Sequence, residues 1–369
     1  MNKMLQQIKI IELESLRGLA AVLIVFFHMP KWSPLLDIAI INNSYLMVDL
    51  FFVISGFVIF NSYAARINSG RDLYRFQFLR FWRVYPLHIF FLFFFLAIEI
   101  AKYIAANNFG IRSPNSSPFD LNNVSSLIEN IFLIQSIIPN NPLTFNHPSW
   151  SISVEFYTYL IFGLVILLFK KYSTVLFAGL TFLSITMLTT DLTYGFSYLL
   201  RCFSGFFWGC LIAGFFRKNY ITIPAYFSTI VLTLMTLFLI MKPYQSYDVL
   251  IYLLSGLFIL CLVMKNNDRD PVKRLLRSRV LTWLGKISFS VYMVQATVIW
   301  LVNQIVRFAS NHESVDAYGK SVPVLSSFFT VLTSVIVLSL ILVLGNFFYE
   351  LIEKPYREKS RKCALENLN

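Results

Sequence analysis

The chain has 369 residues, of which 57% are hydrophobic and only 14% are charged, and its formal net charge is +12. Because soluble domains carry roughly 25% charged residues, this composition excludes an ordinary soluble protein. The basic residues cluster in alternate loops between apolar runs, which indicates membrane topology rather than nucleic-acid binding. We therefore expect lipid headgroups or a phosphorylated substrate, and no nucleic acid, as the partners of these loops.

Ten apolar segments, each long enough to cross a bilayer as a helix, follow one another along the chain. No signal-peptide cleavage motif follows the first segment, which we interpret as a retained helix. The pattern predicts an all-α integral membrane protein in which residues 1–369 form one transmembrane domain. The segments are residues 13–31, 45–63, 84–106, 150–169, 173–190, 195–216, 222–241, 247–264, 284–307 and 323–350.

The charge of the loops predicts the orientation of these spans. Lys and Arg accumulate on the cytoplasmic side of membrane proteins, so both termini are expected in the cytoplasm. The basic loops contain Lys3 and Lys9, Arg66 to Arg83, Lys170 and Lys171, Arg217 and Lys218, Lys265 to Arg279, and Lys354 to Lys362. The opposite loops contain little beyond Lys31, Arg112, Lys242 and Lys320.

The first span carries two polar residues on one face. Glu14-Ser15-Leu16-Arg17-Gly18 leads through ten apolar residues to His28. Eleven helical steps return to within roughly 20° of the starting direction, so Arg17 and His28 project from the same face, about 16 Å apart. Titratable groups inside a membrane are costly. The pair is therefore either a site, with His28 as a general base, or a bundle histidine with an arginine end anchor.

In the second span, Asp49 and Gly56 share a helix face within the stretch VDLFFVISGF, residues 48–57. A carboxylate inside the membrane needs a partner. The candidate partners of Asp49 are Lys31, Arg17 and His28. Ser55 and Gly56 permit close approach either of another helix backbone or of a slender ligand, and the sequence leaves both readings open.

Arginines dominate the segment RDLYRFQFLRFWRVYPLH, residues 71–88, which precedes the third span. Arg80 and Arg83 share a helix face, and Arg75 lies nearby. Guanidinium groups bind phosphates well because their donors form a permanently charged fork, and the neighbouring aromatic rings are able to stack on a nucleobase. A purely topological role for these arginines is the alternative.

The stretch HPSWSISVEFY, residues 147–157, enters the fourth span from outside. Its outward end, with His147, Trp150 and Ser151, is expected to face the substrate, and Trp150 is expected at the membrane interface. Glu155 lies one helical turn beyond Ser151. Its expected partner is either a histidine that becomes cationic during a reaction or a basic group in a structural pair.

The remaining features give weaker signals. Residues 283–300 open the ninth span with Ser288 and Ser290 as candidate cavity lining, and the tail 349–359 is expected to end a helix before Pro355. The outer loop 107–149 is expected to be irregular apart from a short amphipathic helix within 121–138. Free thiols and no bound metal are expected, because no metal-ligand spacing links the cysteines. These are Cys202, Cys210, Cys261 and Cys363.

In this order, the motifs resemble the family-3 membrane acyltransferases, the bacterial O-acyltransferases of cell-surface glycans. The motifs are SLRG with the following histidine, DLFFVISGF, RFWRVYPL, WSISVEFY, LGKISFSVY and EKPYR, which together cover Glu14 to Arg357. Some members carry an additional esterase-like domain outside the cytoplasm, and this chain resembles the standalone type.

The resemblance implies that an acyl group, usually acetyl, is moved from cytoplasmic acyl-CoA to a hydroxyl of an envelope carbohydrate at the bacterial cytoplasmic membrane. Arg17 and His28 match the essential pair of the family, Arg80 and Arg83 its arginine pair, and Glu155 its acid in the fourth span. Many members carry a histidine about where this chain has Gln295, so we assign the ninth span no role in proton transfer.

These residues suggest a mechanism as a hypothesis. Arg80 and Arg83 hold the phosphates of acyl-CoA, and its pantetheine arm passes between the spans, close to Ser55 and Gly56. His28, oriented by Glu155 or Asp49, then deprotonates the acceptor hydroxyl, which attacks the thioester. An acyl-histidine relay is the competing version. A transporter or flippase of an anionic glycan or lipid intermediate, and a membrane sensor without chemistry, are the rival classes.

Overall fold

The computed structural model describes residues 10–111, 113–218, 222–264, 270–310, 313–315 and 321–366. Part of the charge pattern that predicts the orientation falls outside these ranges. The basic residues concerned are Lys3, Lys9, Arg112, Lys265, Arg269 and Lys320.

Fourteen α-helices dominate the described residues. They are α1 (Ile11–His28), α2 (Ala39–Asn42), α3 (Met47–Tyr63), α4 (Gly70–Phe109), α5 (Val124–Ile131), α6 (Trp150–Phe169), α7 (Ser173–Thr189), α8 (Ser197–Lys218), α9 (Tyr226–Met241), α10 (Leu250–Val263), α11 (Pro271–Leu276), α12 (Arg279–Ala309), α13 (Ser327–Phe348) and α14 (Lys354–Glu366). A π-helix covers Tyr349–Glu353, and short 3-10 helices cover Pro34–Leu36, Asn43–Leu46, His147–Ser149, Lys170–Tyr172 and Gln245–Val249. Strands β1 (Glu313–Val315) and β2 (Ser321–Pro323) pair antiparallel, with Ser314 opposite Val322.

A helix occupies each of the ten apolar segments of the sequence. Within the described residues, seven helical segments are long and apolar enough to cross a membrane, and one of them, His147–Thr189, contains both α6 and α7. The all-helical fold and multiple membrane spans are thus confirmed, whereas ten crossings and two cytoplasmic termini stay predictions. The outer loop contains α5, which is shorter than the predicted segment 121–138.

The helix α4 is much longer than the third predicted span, because it begins in the arginine-rich segment. The side chain of Ser69 caps its first turn, and Gly110, in the left-handed conformation with φ of 67°, ends it. Its 40 residues extend about 60 Å, twice the roughly 30 Å thickness of the hydrocarbon core. The arginines of residues 71–88 therefore lie on a continuous helix rather than on a loop.

Close contact between α3 and α8 forms the centre of the helix bundle. A Cβ added at Gly56 would lie 1.8 Å from the carbonyl oxygen of Phe206, and one added at Gly209 would lie 2.1 Å from that of Val53. The two backbones therefore touch, as at other small-residue helix contacts in membranes. The proposal that a slender ligand approaches Gly56 is wrong, since the backbone of α8 fills that space.

A second close contact joins α1 to α12. A Cβ at Gly18 would lie 2.7 Å from the amide nitrogen of Gly285, and one at Gly285 would lie 2.4 Å from the carbonyl oxygen of Glu14. This contact fixes the height and rotation of α1 against α12. It therefore decides which groups of α12 face Arg17 and His28.

We predict that Gly56→Ala destabilises the protein by about 2 kcal/mol or more, because the methyl group forces two packed backbones apart. The measurement is thermal unfolding of the purified protein in detergent. Gly179→Ala is the matched control: Gly179 lies within α7, no atom lies within 4 Å of its added Cβ, and alanine is expected to stabilise the helix by about 0.5–1 kcal/mol. Equal unfolding temperatures for the two variants would contradict this account of the packing.

Candidate active site

A cavity of about 320 Å³ lies where the end of α1 meets the outer loop, α4 and α12. His28 and His147 line it, together with Trp300 of α12. Glu99 and Lys102 of α4 also line it but bind each other at 3.0 Å, and Asn122 donates to the same carboxylate at 2.9 Å. Arg307, which also lines the cavity, forms an ion pair with Glu313 at 2.9 Å. The charged side chains of the wall are thus paired, which leaves hydroxyl, amide, imidazole and aromatic groups to meet a ligand.

The imidazole of His28 is held in one tautomer. Its Nδ1 lies 3.0 Å from the backbone carbonyl oxygen of Ile24, and since that oxygen can only accept, we assign the hydrogen to Nδ1. Nε2 then carries the lone pair that can take a proton. Gln295 of α12, whose side chain is fully buried, lies beside the ring. Ile24 therefore orients His28 as a base. The neighbour of the ring is Gln295, to which the sequence analysis assigned no role in proton transfer.

The predicted partners of Asp49 were wrong. Its carboxylate accepts from Arg201 of α8 at 2.6 and 3.1 Å and from the hydroxyl of Tyr252 at 2.9 Å. Lys31 instead donates to the carbonyl oxygen of Leu36. The structure thus shows neither Asp49 nor Glu155 among the groups that orient His28.

The pair of Asp49 and Arg201 belongs to a larger polar cluster, which we call the outer charge cluster. Tyr45 donates to Asp248 at 2.6 Å, and Lys242 forms an ion pair with the same carboxylate. The two cations balance the two carboxylates, which makes this cluster a structural tie between α3, α8 and the chain that precedes α10. Its members are Tyr45, Asp49, Arg201, Lys242, Asp248 and Tyr252.

Of the three residues predicted on the substrate side, the structure places only His147 in the cavity wall. Trp150 is buried, and its ring lies 5.0 Å from the guanidinium carbon of Arg201; its position at the membrane interface stays a prediction. Ser151 lies 3.0 Å from the hydroxyl of Tyr292, which donates to the carbonyl oxygen of Pro148. Ser151 thus ties α6 to α12 beneath the cavity.

Glu155 begins a hydrogen-bonded chain inside the bundle. The hydroxyl of Tyr159 donates to it at 2.6 Å, and Ser55 lies 3.0 Å from the same hydroxyl and hence donates to it. Arg17 and Arg83 are both electrostatic neighbours of Glu155. The basic-group alternative for the partner of Glu155 is therefore favoured over a histidine.

The buried carboxylate of Glu353, close to the same arginines, was missed at the sequence level. It lies at the end of the π-helix, accepts a hydrogen bond from Ser290 at 2.8 Å, and has Arg83, Arg357 and Arg17 as electrostatic neighbours. The prediction that the helix stops before Pro355 was wrong, because α14 runs through this proline. The sequence signal that could have pointed to Glu353 is the change from apolar to charged residues within YELIEKP. A π-helix is a further sign, because π-helices frequently mark functional sites.

The predicted donor-binding arginines of α4 lie in two different environments. Arg80, only 5% exposed, donates to the hydroxyl of Tyr63 at 3.2 Å, and its buried Nε has no hydrogen-bond partner within the described ranges. Arg83 has Tyr159 and the carboxylates of Glu353, Glu155 and Glu14 as electrostatic neighbours. Arg75 instead lines a separate cavity of about 20 Å³ with Asp72.

His28 and Arg17 lie near opposite ends of α1 and connect two regions of the site. At one end, His28 lines the outer cavity. About 16 Å away along the helix axis, the guanidinium group of Arg17 has Arg83 of α4, Glu155 of α6 and Glu353 of the π-helix as electrostatic neighbours. The buried Nε of Arg17 also has no hydrogen-bond partner among the residues that the structure describes. One helix thus joins a basic nitrogen to a cluster of arginines and carboxylates.

Comparisons with known proteins identify the family of this chain. Residues 10–344 match the acyltransferase domain family. Acyltransferase MdmB of Streptomyces mycarofaciens is 30% identical over 177 residues, which are 44% of this chain and 41% of that protein. Protein 2 in picA locus of Rhizobium radiobacter is 37% identical over 108 residues, 29% of this chain and 52% of that protein. The chain thus spans about half of these relatives, and no solved structure matches it.

Proposed function

Because the chain belongs to the acyltransferase domain family, we propose that it is an integral-membrane O-acyltransferase. It moves an acyl group, acetyl in this proposal, from cytoplasmic acyl-CoA to a hydroxyl of a cell-envelope carbohydrate. The observation that carries the proposal is the single-tautomer imidazole of His28 at an outer cavity, on the same helix as Arg17 at the arginine-rich end. The ten spans would place both termini in the bacterial cytoplasm.

The donor would bind at the arginine-rich end. Arg80 and Arg83 present guanidinium groups that bind phosphate oxygens in a bidentate, permanently charged fork. The unpartnered Nε of Arg80 offers a donor that nothing within the described ranges uses. No metal is needed in this scheme, because the leaving group of a thioester is already a stable thiolate.

The chemistry is direct acyl transfer. Nε2 of His28 takes the proton of the acceptor hydroxyl while its oxygen attacks the thioester carbonyl carbon. The new C–O bond forms, the C–S bond breaks, and the coenzyme thiolate takes the proton from the imidazolium. Ile24 holds Nδ1 throughout, so the ring keeps the orientation that the proton transfer needs.

The outer cavity suits a carbohydrate acceptor. Its volume of about 320 Å³ is at the small end of ligand pockets, and its wall combines the indole of Trp300 with the side chains of Asn303 and Gln304. Aromatic faces and amides recognise sugar rings and their hydroxyls. The internal pairing of Glu99 with Lys102 leaves those two charges unavailable to an ionic ligand.

We predict that His28→Ala lowers the rate of acyl transfer by a factor of about 10²–10⁴, the usual contribution of a general base, with donor affinity unchanged. The measurement is transfer of radiolabelled acetyl from acetyl-CoA to envelope glycan by purified protein in nanodiscs. His88→Gln is the matched control, because His88 is also buried and bonded to a backbone carbonyl, that of Asn130, but does not line the cavity. Full transfer by His28→Ala would refute the assignment.

We predict that Arg80→Gln weakens acetyl-CoA binding by about tenfold or more, since one charge-assisted hydrogen bond contributes about 1.5–3 kcal/mol. Isothermal titration calorimetry is the measurement. Arg71→Gln removes the same charge from an exposed position of the same helix and should bind normally. Equal affinities for the two variants would exclude Arg80 from the donor site.

We predict that Asp49→Asn lowers the free energy of unfolding by about 3 kcal/mol, because it leaves Arg201 without its ion-pair partner. Transfer per folded molecule should be preserved. Tyr252→Phe, which removes one hydrogen bond to the same carboxylate, should cost about 1 kcal/mol. Normal stability combined with lost transfer in Asp49→Asn would instead assign Asp49 a catalytic role.

A further inference from the structure

We propose that α14 completes the phosphate site of the donor, with Arg357 and Arg361 acting beside Arg80 and Arg83. This inference rests on the proposed function. The family match covers residues 10–344, and of α14 only its first residues, within the motif EKPYR, belong to the resemblance. No comparison assigns it a role.

One face of α14 is turned toward α4. Ser360 and Ala364 are buried, whereas Lys359 and Lys362 are exposed. Because residues three and four apart share a helix face, Arg357 and Arg361 lie on the buried face with Ser360 and Ala364. Both arginines are half-buried, as expected for side chains at the edge of a contact.

An aromatic contact holds α14 against α4. The rings of Trp82 and Tyr356 are stacked, with centroids 5.8 Å apart and an interplanar angle of 7°. Tyr356 precedes Arg357 directly, and Trp82 lies between the arginines at positions 80 and 83 of α4. The stacked pair thus brings the two arginine pairs to the same region, although α4 and α14 are far apart in sequence.

The resulting cluster carries excess positive charge. Arg361 has Arg357, Arg80 and Arg83 as electrostatic neighbours, and burial together with these cations lowers its pKa, while Tyr63 opposes that effect. Through shared neighbours the cluster extends to five guanidinium groups and three carboxylates. The guanidinium groups are those of Arg17, Arg80, Arg83, Arg357 and Arg361, and the carboxylates are those of Glu14, Glu155 and Glu353.

The cluster also holds unused donors. The Nε atoms of Arg80 and Arg357 are buried, and neither has a hydrogen-bond partner in the described part of the chain. Buried charged donors without acceptors are costly. A ligand with several phosphate oxygens would supply both the missing acceptors and the missing negative charge. Acyl-CoA, with a diphosphate and a separate ribose phosphate, has this chemistry.

The test compares two double variants of α14 in nanodiscs of zwitterionic lipid. Arg357→Gln with Arg361→Gln removes two charges from the buried face, and Lys359→Gln with Lys362→Gln removes two charges from the exposed face. We expect the arginine variant to bind acetyl-CoA at least about tenfold more weakly and the lysine variant to bind within about twofold of wild type. Isothermal titration calorimetry measures both.

One further double variant covers the case in which the first arginine variant misfolds. If the variant Arg357→Gln with Arg361→Gln does not fold, Arg357→Lys with Arg361→Lys is used, which keeps the charge but removes the bidentate fork. We expect it to bind acetyl-CoA about threefold more weakly or worse. Unchanged affinity in the folded arginine variant, with weakened binding in Arg80→Gln, overturns the role of α14 and leaves the proposed function standing. Wild-type protein that does not bind acetyl-CoA overturns both.

A phosphate ligand could also come from lipid. The titration is therefore repeated in nanodiscs that contain phosphatidylglycerol, and co-purified lipid is counted for each variant. Loss of retained anionic lipid in the arginine variant, with acetyl-CoA affinity unchanged, would assign the cluster to lipid headgroups and overturn the proposal. Weaker acetyl-CoA binding in both lipid compositions supports it.

Discussion

The contact between α1 and α12 is the constraint on which the rest of the site depends. Glycines at positions 18 and 285 let the two backbones touch, and any side chain there would move the helices apart. This contact brings Gln295 beside His28. It also places the guanidinium group of Arg17 near the carboxylates of Glu155 and Glu353. One small-residue contact therefore sets both ends of the proposed reaction path.

The buried charges of the protein divide into two kinds. In the outer charge cluster, Asp49 and Arg201 satisfy each other, with Tyr252 as a third partner, and charge is balanced. Around Arg80 and Arg357, by contrast, cations outnumber carboxylates and buried donors lack acceptors among the described residues. Because an unsatisfied buried donor is costly, we interpret the first cluster as structural. We interpret the second as a binding site, in which a ligand supplies the missing acceptors and negative charge.

The sequence predicted the local features and missed those that depend on distant segments. Hydropathy located the helices, and helical periodicity placed Arg17 and His28 on one face, because both signals act within a single helix. Arg201 lies 152 residues from Asp49 within an otherwise apolar stretch, so no local pattern links them. Glu353 was missed, and the role of Gly56 was left open, for the same reason: their roles are set by the helices that pack against them.

The central claim is that a thioester reaches His28 from the arginine-rich end. The most direct measurement is a cryo-electron microscopy structure of the full chain in nanodiscs with a non-hydrolysable acetyl-CoA analogue. The account predicts phosphate density against Arg80 and Arg83 and the acyl carbon close to Nε2 of His28, with the pantetheine arm running along α1. An analogue bound elsewhere, or bound at the arginines with its acyl group pointing away from the outer cavity, would contradict it.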